Sequence, residues 1–336
     1  MIELGTAKVA NKLIDKMGQN KNKFAIIGVG GYIAPRHLGA VKNTGGSVVA
    51  ACDVSDSVGI IDSYFPDADF TTNPKAFLSG LKECGADYLT VCTPNFRHCS
   101  HSETAMKAGL DVICEKPVVM TCEEHYRLTC AEAETGKRVF PVLQMRLHQE
   151  AARIREKIQN DGSGKSHEVE LVYIAPRGKW YAASWKGDVS KSGGVLTNIG
   201  IHFIDLLHWL FGHRRDFILH YSAPDCVSGV LELDRARVSF FLSVNPSHLP
   251  ENHTGAWRHF TIDGDSFDFS AGFANLHDLT YNEILAGRGF SLADTFDAIE
   301  TVEEARHLAI THTASDYHPL LRRVVEAGCV NIKPML

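Results

Sequence analysis

Between residues 24 and 114 the chain repeats one pattern: a short apolar run, a loop and a stretch with helical spacing. The apolar runs, each long enough for one strand, cover residues 24–29, 47–52, 88–92 and 111–114. Strands that alternate with helices predict a parallel sheet with helical crossovers. Another run over residues 138–143 closes this unit. We therefore predict a doubly wound α/β domain over residues 23–145.

Beyond a predicted helix at residues 150–159 the pattern differs. Runs of strand length, alternating or apolar throughout, cover residues 167–175, 217–222, 227–233, 236–244 and 259–269. The turn Asp263-Gly264-Asp265 within the last run is typical of a hairpin. Helical spacing occurs at residues 201–211, 276–285 and 292–307. We predict an α+β domain with a large, mostly antiparallel sheet over residues 146–336, and an N-terminal helical extension over residues 1–22.

Composition argues against several kinds of partner and location. Of 336 residues, 44% are hydrophobic and 22% charged, which fits about two packed domains. Lys and Arg total 34 against 40 Asp and Glu without a basic run, so we expect neither nucleic acid nor a membrane as partner. Since no run approaches the roughly 18 apolar residues of a membrane span and the N-terminal stretch has no apolar signal core, we expect a cytoplasmic protein.

The cysteine and histidine spacing gives no sign of a metal centre. Nine cysteines occur without a Cys-x-x-Cys pair, which argues against a zinc ribbon or a disulfide framework. Cys99 lies between His98 and His101, but no further ligands with matching spacing accompany them. We therefore expect no metal site.

The first predicted strand runs directly into Gly28-Val-Gly30-Gly31-Tyr32-Ile33. Gly28 permits a tight turn, Gly30 lets backbone N–H groups approach a pyrophosphate, and the start of the next helix favours the anion. Ile33 stands where the dinucleotide-binding fingerprint usually has Gly or Ala, so we expect slightly wider packing of helix against strand there. This turn predicts a Rossmann domain that binds a dinucleotide.

Asp53 follows the second predicted strand, 23 residues after Gly30. A carboxylate at this position accepts hydrogen bonds from the adenosine ribose hydroxyls and repels a 2′-phosphate. Val54 and Ser55 follow it without an adjacent arginine. The sequence therefore favours NAD over NADP.

Three later motifs carry a family resemblance. Glu115-Lys116-Pro117 follows the fourth apolar run, and Gly200-Ile-His202-Phe-Ile-Asp205 lies just after Asn198. Together with the loop Thr93-Pro-Asn95-Phe-Arg-His98, they resemble the glucose–fructose oxidoreductase/inositol dehydrogenase (Gfo/Idh/MocA) family from about residue 23 onward. The resemblance implies an NAD-dependent oxidoreductase.

Further phrases are similar to the UDP-N-acetylglucosaminuronate 3-dehydrogenases of bacterial surface-polysaccharide synthesis, including lipopolysaccharide O-antigen. They are Gly31-Tyr-Ile-Ala-Pro-Arg-His37, Asp56-Ser-Val-Gly-Ile-Ile-Asp62, Arg177-Gly-Lys-Trp-Tyr181, Ser184-Trp-Lys-Gly-Asp188 and Ile284-Leu-Ala-Gly-Arg-Gly289. The resemblance implies oxidation of the C3 hydroxyl of the sugar, a homotetramer and, in some members, recycling of NAD by 2-oxoglutarate. The wider family usually has Asp in place of Asn198, whereas the sugar-nucleotide branch resembles this chain there.

Lys116 and His202 are the candidate proton-handling residues. Lys116 lies at the carboxyl end of a parallel strand, where open sheets bind ligands, and burial beside a cationic nicotinamide would lower its pKa. The ordinary pKa of imidazole suits His202 for proton exchange near neutrality. The resemblance implies a cis Lys116–Pro117 bond and a sugar-orienting Asn198. Which of the two proton-handling residues is the base stays open.

Other cofactor contacts are implied by the family or by position. The resemblance implies that Thr93, Asn95 and His98 lie along the cofactor near the ribose or nicotinamide, and that Glu115 faces the nicotinamide ribose. Gln144, which ends the next predicted strand, is assigned to the carboxamide side.

A uridine diphosphate and a sugar carboxylate need cations, and arginine forks suit both. Arg36, Arg146 and Arg177 lie in segments predicted to edge the cleft. Tyr181 is expected either against the sugar or uracil face or in a subunit interface.

Two other functions stay open from the sequence. The same oxidation of UDP-N-acetylglucosamine, as in a lipid A-type pathway, needs a site for an uncharged C6 group. A non-catalytic NAD-binding sensor would keep the fold and lose the reaction, but the retained Lys116 and His202 argue against it.

Overall fold

The computed structural model describes residues 21–269 and 275–328. Apart from its last two residues, the helical extension predicted over residues 1–22 lies outside this part of the chain. The described residues include two sheets of six strands each, the first built from the N-terminal half of the chain and the second from the C-terminal half.

The first sheet is parallel throughout, with the strand order β3-β2-β1-β4-β5-β6. Its strands are β1 (Lys23–Ile27), β2 (Ser47–Cys52), β3 (Asp69–Thr71), β4 (Tyr88–Val91), β5 (Asp111–Cys114) and β6 (Val139–Pro141). The accompanying helices are α1 (Ala34–Asn43), α2 (Pro74–Ser79), α3 (His98–Lys107) and α4 (Cys122–Thr135). This sheet confirms the predicted Rossmann domain, and its strand order reverses between β1 and β4.

Local sequence signals set the ends of these helices. Asn73 and Thr121 cap α2 and α4, since their side chains accept the backbone N–H groups of Ala76 and Glu124. Gly136 ends α4 in the left-handed region, at φ 67°. The helix boundaries therefore follow from residues adjacent to them in sequence.

The second sheet has the order β12-β11-β7-β10-β9-β8, and only β7 and β10 pair in parallel among its described strands. The strands are β7 (His167–Ile174), β8 (Arg214–Ala223), β9 (Cys226–Leu233), β10 (Ala236–Ser243), β11 (Trp257–Ile262) and β12 (Asp265–Ser266). Asp263 and Gly264 join β11 to β12 with φ of 52° and 87°, as a two-residue hairpin turn requires. The predicted α+β domain is confirmed.

The central helix of the second domain is α8 (Ile201–Phe211), which is buried against the sheet. Three other helices precede it: α5 (Gln149–Asn160), α6 (Trp180–Ala183) and α7 (Val189–Ser192). The stretch Val189–Phe211 is long and apolar enough to cross a membrane, but 83% of its most apolar window is buried inside the protein. This burial is what a core helix requires.

The last helices are α9 (Leu276–Leu285), α10 (Phe296–Ala305) and α11 (Pro319–Glu326). Tyr281 and Ile284 of α9 belong to the same apolar cluster as Phe24 of β1 and Leu38 of α1. Ile299 of α10 likewise joins the other apolar cluster of the first domain. The C-terminal part of the chain thus contributes to the core of the N-terminal domain.

Candidate functional site

A glycine corner follows β1. Gly28 has φ 87°, and a Cβ there would lie 2.6 Å from the carbonyl carbon of Cys92. A Cβ on Gly30 would lie 3.2 Å from Asp53 Oδ2, and Gly31 donates its N–H to the oxygen of Gly28 at 3.0 Å. Because β1 and β4 flank the corner, it lies where the strand order reverses and open sheets bind their ligands.

Asp53 borders this corner as a half-buried carboxylate. Its Oδ2 accepts the N–H of Gly30 at 2.9 Å, and its Oδ1 accepts the N–H of Ser55 at 3.0 Å. A carboxylate has about four acceptor sites, so lone pairs remain for ribose hydroxyls. Tyr32, which is 94% exposed, and Ile33, which directly precedes α1, follow the corner.

Gln144 begins a short helical turn after β6 and is buried. Its Oε1 has no hydrogen-bond partner among the described residues. An unpaired buried oxygen costs about 1–3 kcal/mol, and an amide N–H such as that of the nicotinamide carboxamide would satisfy it. Gln144, together with the glycine corner and Asp53, therefore fits NAD.

The loop after β4 uses its polar groups differently from expectation. Asn95 donates its Nδ2 hydrogen to the carbonyl of Ser192 at 2.9 Å. The two ring nitrogens of His98 lie 2.7 Å from the oxygen of Pro117 and 2.6 Å from that of Thr93. The Asn95 amide nitrogen therefore joins the domains, and His98 supports the loops after β4 and β5. That both residues lie near the ribose or nicotinamide stays a prediction.

Lys116 follows β5, and its bond to Pro117 is cis, as the resemblance implies. Lys116 Nζ donates to the backbone carbonyl of Asn198 at 3.2 Å. Asn198 Nδ2 in turn donates to Tyr181 Oη at 2.8 Å. Three residues singled out in the sequence thus form one connected group that bridges the two domains.

Asn198 belongs to a π-helical turn, Leu196–Gly200, that leads into α8. Such turns are rare and frequently occur at functional sites. Gly200 lets the turn approach the second sheet, since a Cβ there would lie 2.7 Å from Leu242. His202 follows in the first turn of α8 and is partly exposed. In the described part of the chain, its imidazole has no hydrogen-bond partner.

Burial and neighbouring charges change the acidity of these groups. Burial lowers the pKa of Lys116, Glu115 opposes this effect and Arg177 adds to it. Burial and the charge of Lys116 hold the pKa of His202 well below its ordinary value. Burial, Lys116 and Arg177 lower the pKa of Lys186 to about 8. The cleft cations, by which we mean Lys116, Arg177 and Lys186, form no salt bridge with a carboxylate of the described residues.

Arg146 does not edge the cleft. Its guanidinium is buried and donates to the two carboxylate oxygens of Asp205 at 3.0 and 2.7 Å. It also donates to the Asp294 carboxylate at 3.3 Å. Because these two acids occupy the guanidinium, we withdraw Arg146 from the candidate substrate contacts and assign it to the support of α8. Arg36 on α1 and Arg177 after β7 are both exposed.

Glu115 also has different neighbours from those expected. Its carboxylate lies between the imidazoles of His37 and His277, at 2.9 and 3.3 Å, rather than being left open to a ribose. Neither of these histidines nor Lys186 is among the site residues predicted from the sequence. His37 and Lys186 lie within the phrases that carry the finer resemblance, which is a signal that could have identified them. No local pattern marks His277, because its contact depends on how α9 packs.

Comparison with solved structures shows a close relative of the whole fold. The WlbA (WbpB) dehydrogenase from Thermus thermophilus, in complex with NAD and alpha-ketoglutarate, is 42% identical with a TM-score of 0.85, covering 89% of this chain and 99% of that chain. The same enzyme in complex with NAD and UDP-GlcNAcA is 41% identical, with the same TM-score and coverage.

Curated relatives match over a shorter length. D-glucoside 3-dehydrogenase of Escherichia coli K12 is 28% identical over 167 residues, which are 49% of this chain and 46% of that protein. Inositol 2-dehydrogenase of Salmonella typhimurium LT2 is 27% identical over 192 residues, which are 56% of this chain and 54% of that protein. The chain thus spans about half the length of these relatives.

Family profiles match most of both domains. Residues 22–142 match the profile described as an oxidoreductase family with an NAD-binding Rossmann fold, and residues 155–255 match that family's C-terminal alpha/beta domain. The first match contains all six strands of the first sheet, and the second contains β7, β8, β9 and β10 of the second sheet. The chain is therefore a member of the Gfo/Idh/MocA family of NAD-binding oxidoreductases.

Proposed function

We propose that the protein is an NAD-dependent dehydrogenase that oxidises the C3 hydroxyl of UDP-N-acetylglucosaminuronate to a ketone, for surface-polysaccharide synthesis. One observation carries the proposal: Lys116 Nζ, from the first domain, contacts the π-helical turn that presents Asn198 and leads into His202. The similarity to Thermus thermophilus WlbA, whose complexes contain UDP-GlcNAcA or alpha-ketoglutarate with NAD, supports this substrate.

The chain's own residues supply the proton chemistry. NAD, when bound, is the acceptor of the hydride that leaves the alcohol carbon. Because burial lowers the pKa of Lys116 and of His202, their neutral forms are available at lower pH than for free side chains. Either group, within hydrogen-bond reach of the hydroxyl, takes its proton. Asn198, whose amide nitrogen is fixed by Tyr181, orients the sugar.

The cleft cations support a carboxylated sugar over its uncharged relative. Both UDP-sugars carry a diphosphate, but only the uronate has a charged C6 group. Neighbouring cations that form no salt bridge repel one another, and an anion that binds between them relieves this repulsion. Arg36 is a further candidate for the diphosphate.

Turnover with the two UDP-sugars tests the substrate. We expect NADH formation with UDP-N-acetylglucosaminuronate, a product that has lost two hydrogens by mass spectrometry, and a kcat/KM roughly 100-fold lower with UDP-N-acetylglucosamine. Turnover of the uncharged sugar alone would reject the uronate. NAD binding without turnover of either sugar would instead favour a non-catalytic sensor.

We also propose that 2-oxoglutarate recycles the cofactor in place. Bound NADH would supply a hydride to the keto carbon of 2-oxoglutarate, and the proton that Lys116 or His202 took from the sugar hydroxyl would pass to the keto oxygen, which gives 2-hydroxyglutarate. Protein purified with bound NADH should lose NADH absorbance when 2-oxoglutarate is added, but not when glutarate is added. A homotetramer, which the finer resemblance implies, is tested for its size by light scattering.

The lowered pKa of Lys186 predicts weaker substrate capture at alkaline pH. Above its pKa of about 8, the free enzyme loses one positive charge that faces the anionic sugar. We expect kcat/KM for the uronate to fall about tenfold between about pH 7 and pH 9.5, and Lys186→Met to lose this dependence. Lys191→Met, at an exposed residue that pairs with Asp188, is the matched control. A fall that persists in Lys186→Met assigns the dependence to another group.

Asp53→Ala should weaken the preference for NAD. The carboxylate accepts the ribose hydroxyls and repels a 2′-phosphate, so its removal should raise KM for NAD about tenfold and KM for NADP much less. The ratio of kcat/KM for the two cofactors measures this effect. Asp67→Ala, at an exposed loop residue, should leave the ratio unchanged. An unchanged ratio in Asp53→Ala would assign Asp53 to the turn alone.

A further inference from the structure

A buried cluster of ionisable groups lies beside the proton-handling residues. Glu115 Oε1 lies 2.9 Å from His37 Nε2 and 3.3 Å from His277 Nε2. The three side chains are buried, and they come from α1, the end of β5 and α9. We call these three residues the His–Glu–His cluster.

The hydrogen bonds of this cluster fix its proton positions. The Glu115 carboxylate is an acceptor, so both imidazoles donate to it from Nε2. Burial lowers the pKa of His37 although Glu115 opposes this effect, so the ring is neutral and its Nδ1 is an acceptor. Tyr281 Oη, 2.9 Å from this Nδ1, therefore donates to it, and Thr90 Oγ1, at 3.0 Å, donates to Tyr281.

The cluster keeps Glu115 charged. Burial raises the pKa of the Glu115 carboxyl, but the hydrogen bonds from His277 and His37 outweigh burial and hold it well below its ordinary range. The atoms of the cluster that could bind a metal lie within 4.8 Å of one another. Since two imidazole N–H groups already satisfy Glu115 Oε1, the arrangement fits a hydrogen-bonded anion rather than a set of metal ligands.

Glu115 connects this cluster directly to Lys116. Its second oxygen, Oε2, accepts the backbone N–H of Lys116 at 3.1 Å. The carboxylate that the histidines hold therefore fixes the start of the turn from which the lysine reaches Asn198. It is also the negative charge that raises the pKa of Lys116 against burial.

Other groups act on the same electrostatic balance. The titratable and charged neighbours of Lys116 come from five places in the fold. They are His98 of α3, Glu115 directly after β5, Arg177 after β7, Lys186 between α6 and α7, and His202 of α8. Among them Glu115 is the anion. Its loss would therefore lower the pKa of Lys116, whatever its effect on packing.

We infer that the His–Glu–His cluster is a positioning device for Lys116: His37 and His277 hold the Glu115 carboxylate, which fixes the backbone of the lysine and supplies its negative neighbour. The inference rests on the proposed role of Lys116 in proton transfer. His277 gives α9 a direct part in this arrangement, because it links a helix of the second half of the chain to the turn after β5.

Glu115→Gln removes the charge and keeps the shape. We expect kcat to fall about 10- to 100-fold, KM for the UDP-sugar to change less than about threefold, and the acidic limb of the kcat–pH profile to move to lower pH. Acylation of Lys116 by acetic anhydride in the protein without added NAD or sugar, followed by peptide mass spectrometry, should report a pKa lower by at least about half a unit. Glu123→Gln, at an exposed residue of α4, is the matched control.

The pair His277→Gln and His277→Leu provides a second test, which also serves if Glu115→Gln does not fold. Glutamine keeps an N–H donor for Glu115 and should retain most of kcat, whereas leucine should lower kcat about tenfold at unchanged KM. Equal losses in the two variants, or an unchanged Lys116 pKa in Glu115→Gln, would overturn the inference. Retained turnover in Lys116→Ala would contradict the proposed proton-transfer role of Lys116, on which the inference rests. Lost turnover in Lys116→Ala, together with native behaviour of the Glu115 and His277 variants, would contradict only the positioning role.

Discussion

Lys116→Ala is expected to lower kcat by at least about 1000-fold while the dissociation constant for NAD changes less than about threefold. The amine contacts the turn that carries Asn198, and its removal deletes a positioned acid–base group, an effect typically of 10²- to 10⁴-fold. Steady-state NADH formation and calorimetric titration with NAD measure the two quantities separately. The glycine corner and Asp53 are untouched, which is why cofactor binding should persist.

Lys107→Ala is the matched control for this prediction, since Lys107 is exposed and pairs only with Glu103 among the described carboxylates. It should behave as the native protein. If Lys116→Ala keeps more than about a tenth of the native kcat, Lys116 is not the proton-handling group, and His202→Asn becomes the decisive variant.

Arg146→Met is expected to lower the free energy of unfolding by about 3–5 kcal/mol, the largest stability effect that we predict. Arg146 and Asp205 form a buried ion pair at 2.7 Å, and loss of the cation leaves the Asp205 carboxylate buried without its partner. Urea denaturation measures the change. Arg153→Met, which breaks an exposed pair with Glu150, should cost less than about 1 kcal/mol.

Two further measurements identify the cause of this loss. Burial raises the pKa of Asp205 and Arg146 opposes this effect, so without the arginine the folded-state pKa rises further. A carboxyl group whose pKa is raised in the folded state contributes stability at low pH, and this contribution is lost as the pH rises. The deficit in the free energy of unfolding of Arg146→Met should therefore be larger at about pH 8 than at about pH 5. Arg146→Met with Asp205→Leu should recover most of the deficit. A deficit that is equal at both pH values would point to lost packing instead.

Features that depend on adjacent residues could be predicted from the sequence. The apolar runs and the helical spacing between them predicted both sheets. Each strand that is buried in a sheet needs an apolar or alternating sequence of its own, so the signal can be found strand by strand. The glycine corner is local in the same way: Gly28 has a positive φ, and the carbonyl of Cys92 leaves no room for a Cβ. The positions of Lys116 and Asn198 also follow from motifs next to predicted strands and helices.

Features that depend on packing between distant segments could not be predicted. Arg146 has the chemistry of a substrate-binding residue, but whether it faces the cleft or Asp205 depends on where α8 lies. Asn95 likewise contacts Ser192, nearly a hundred residues away, rather than the cofactor. Lys186 appears as a member of a cation group only when the segment between α6 and α7 is placed beside Lys116. Residue type and spacing carry no information about such partners.

The return of α9 to the first domain has a consequence for protein engineering. Tyr281 fills the core beneath β1, and His277 reaches the carboxylate before Lys116, so the nucleotide-binding half is completed by residues that follow the second sheet in the sequence. A fragment that stops after β6 would expose an apolar cavity and lack one donor to Glu115. A chimaera that takes the first half of the chain from one relative should therefore take α9 from the same relative. A helix from another protein would have to fill the same cavity and supply the same histidine donor to Glu115.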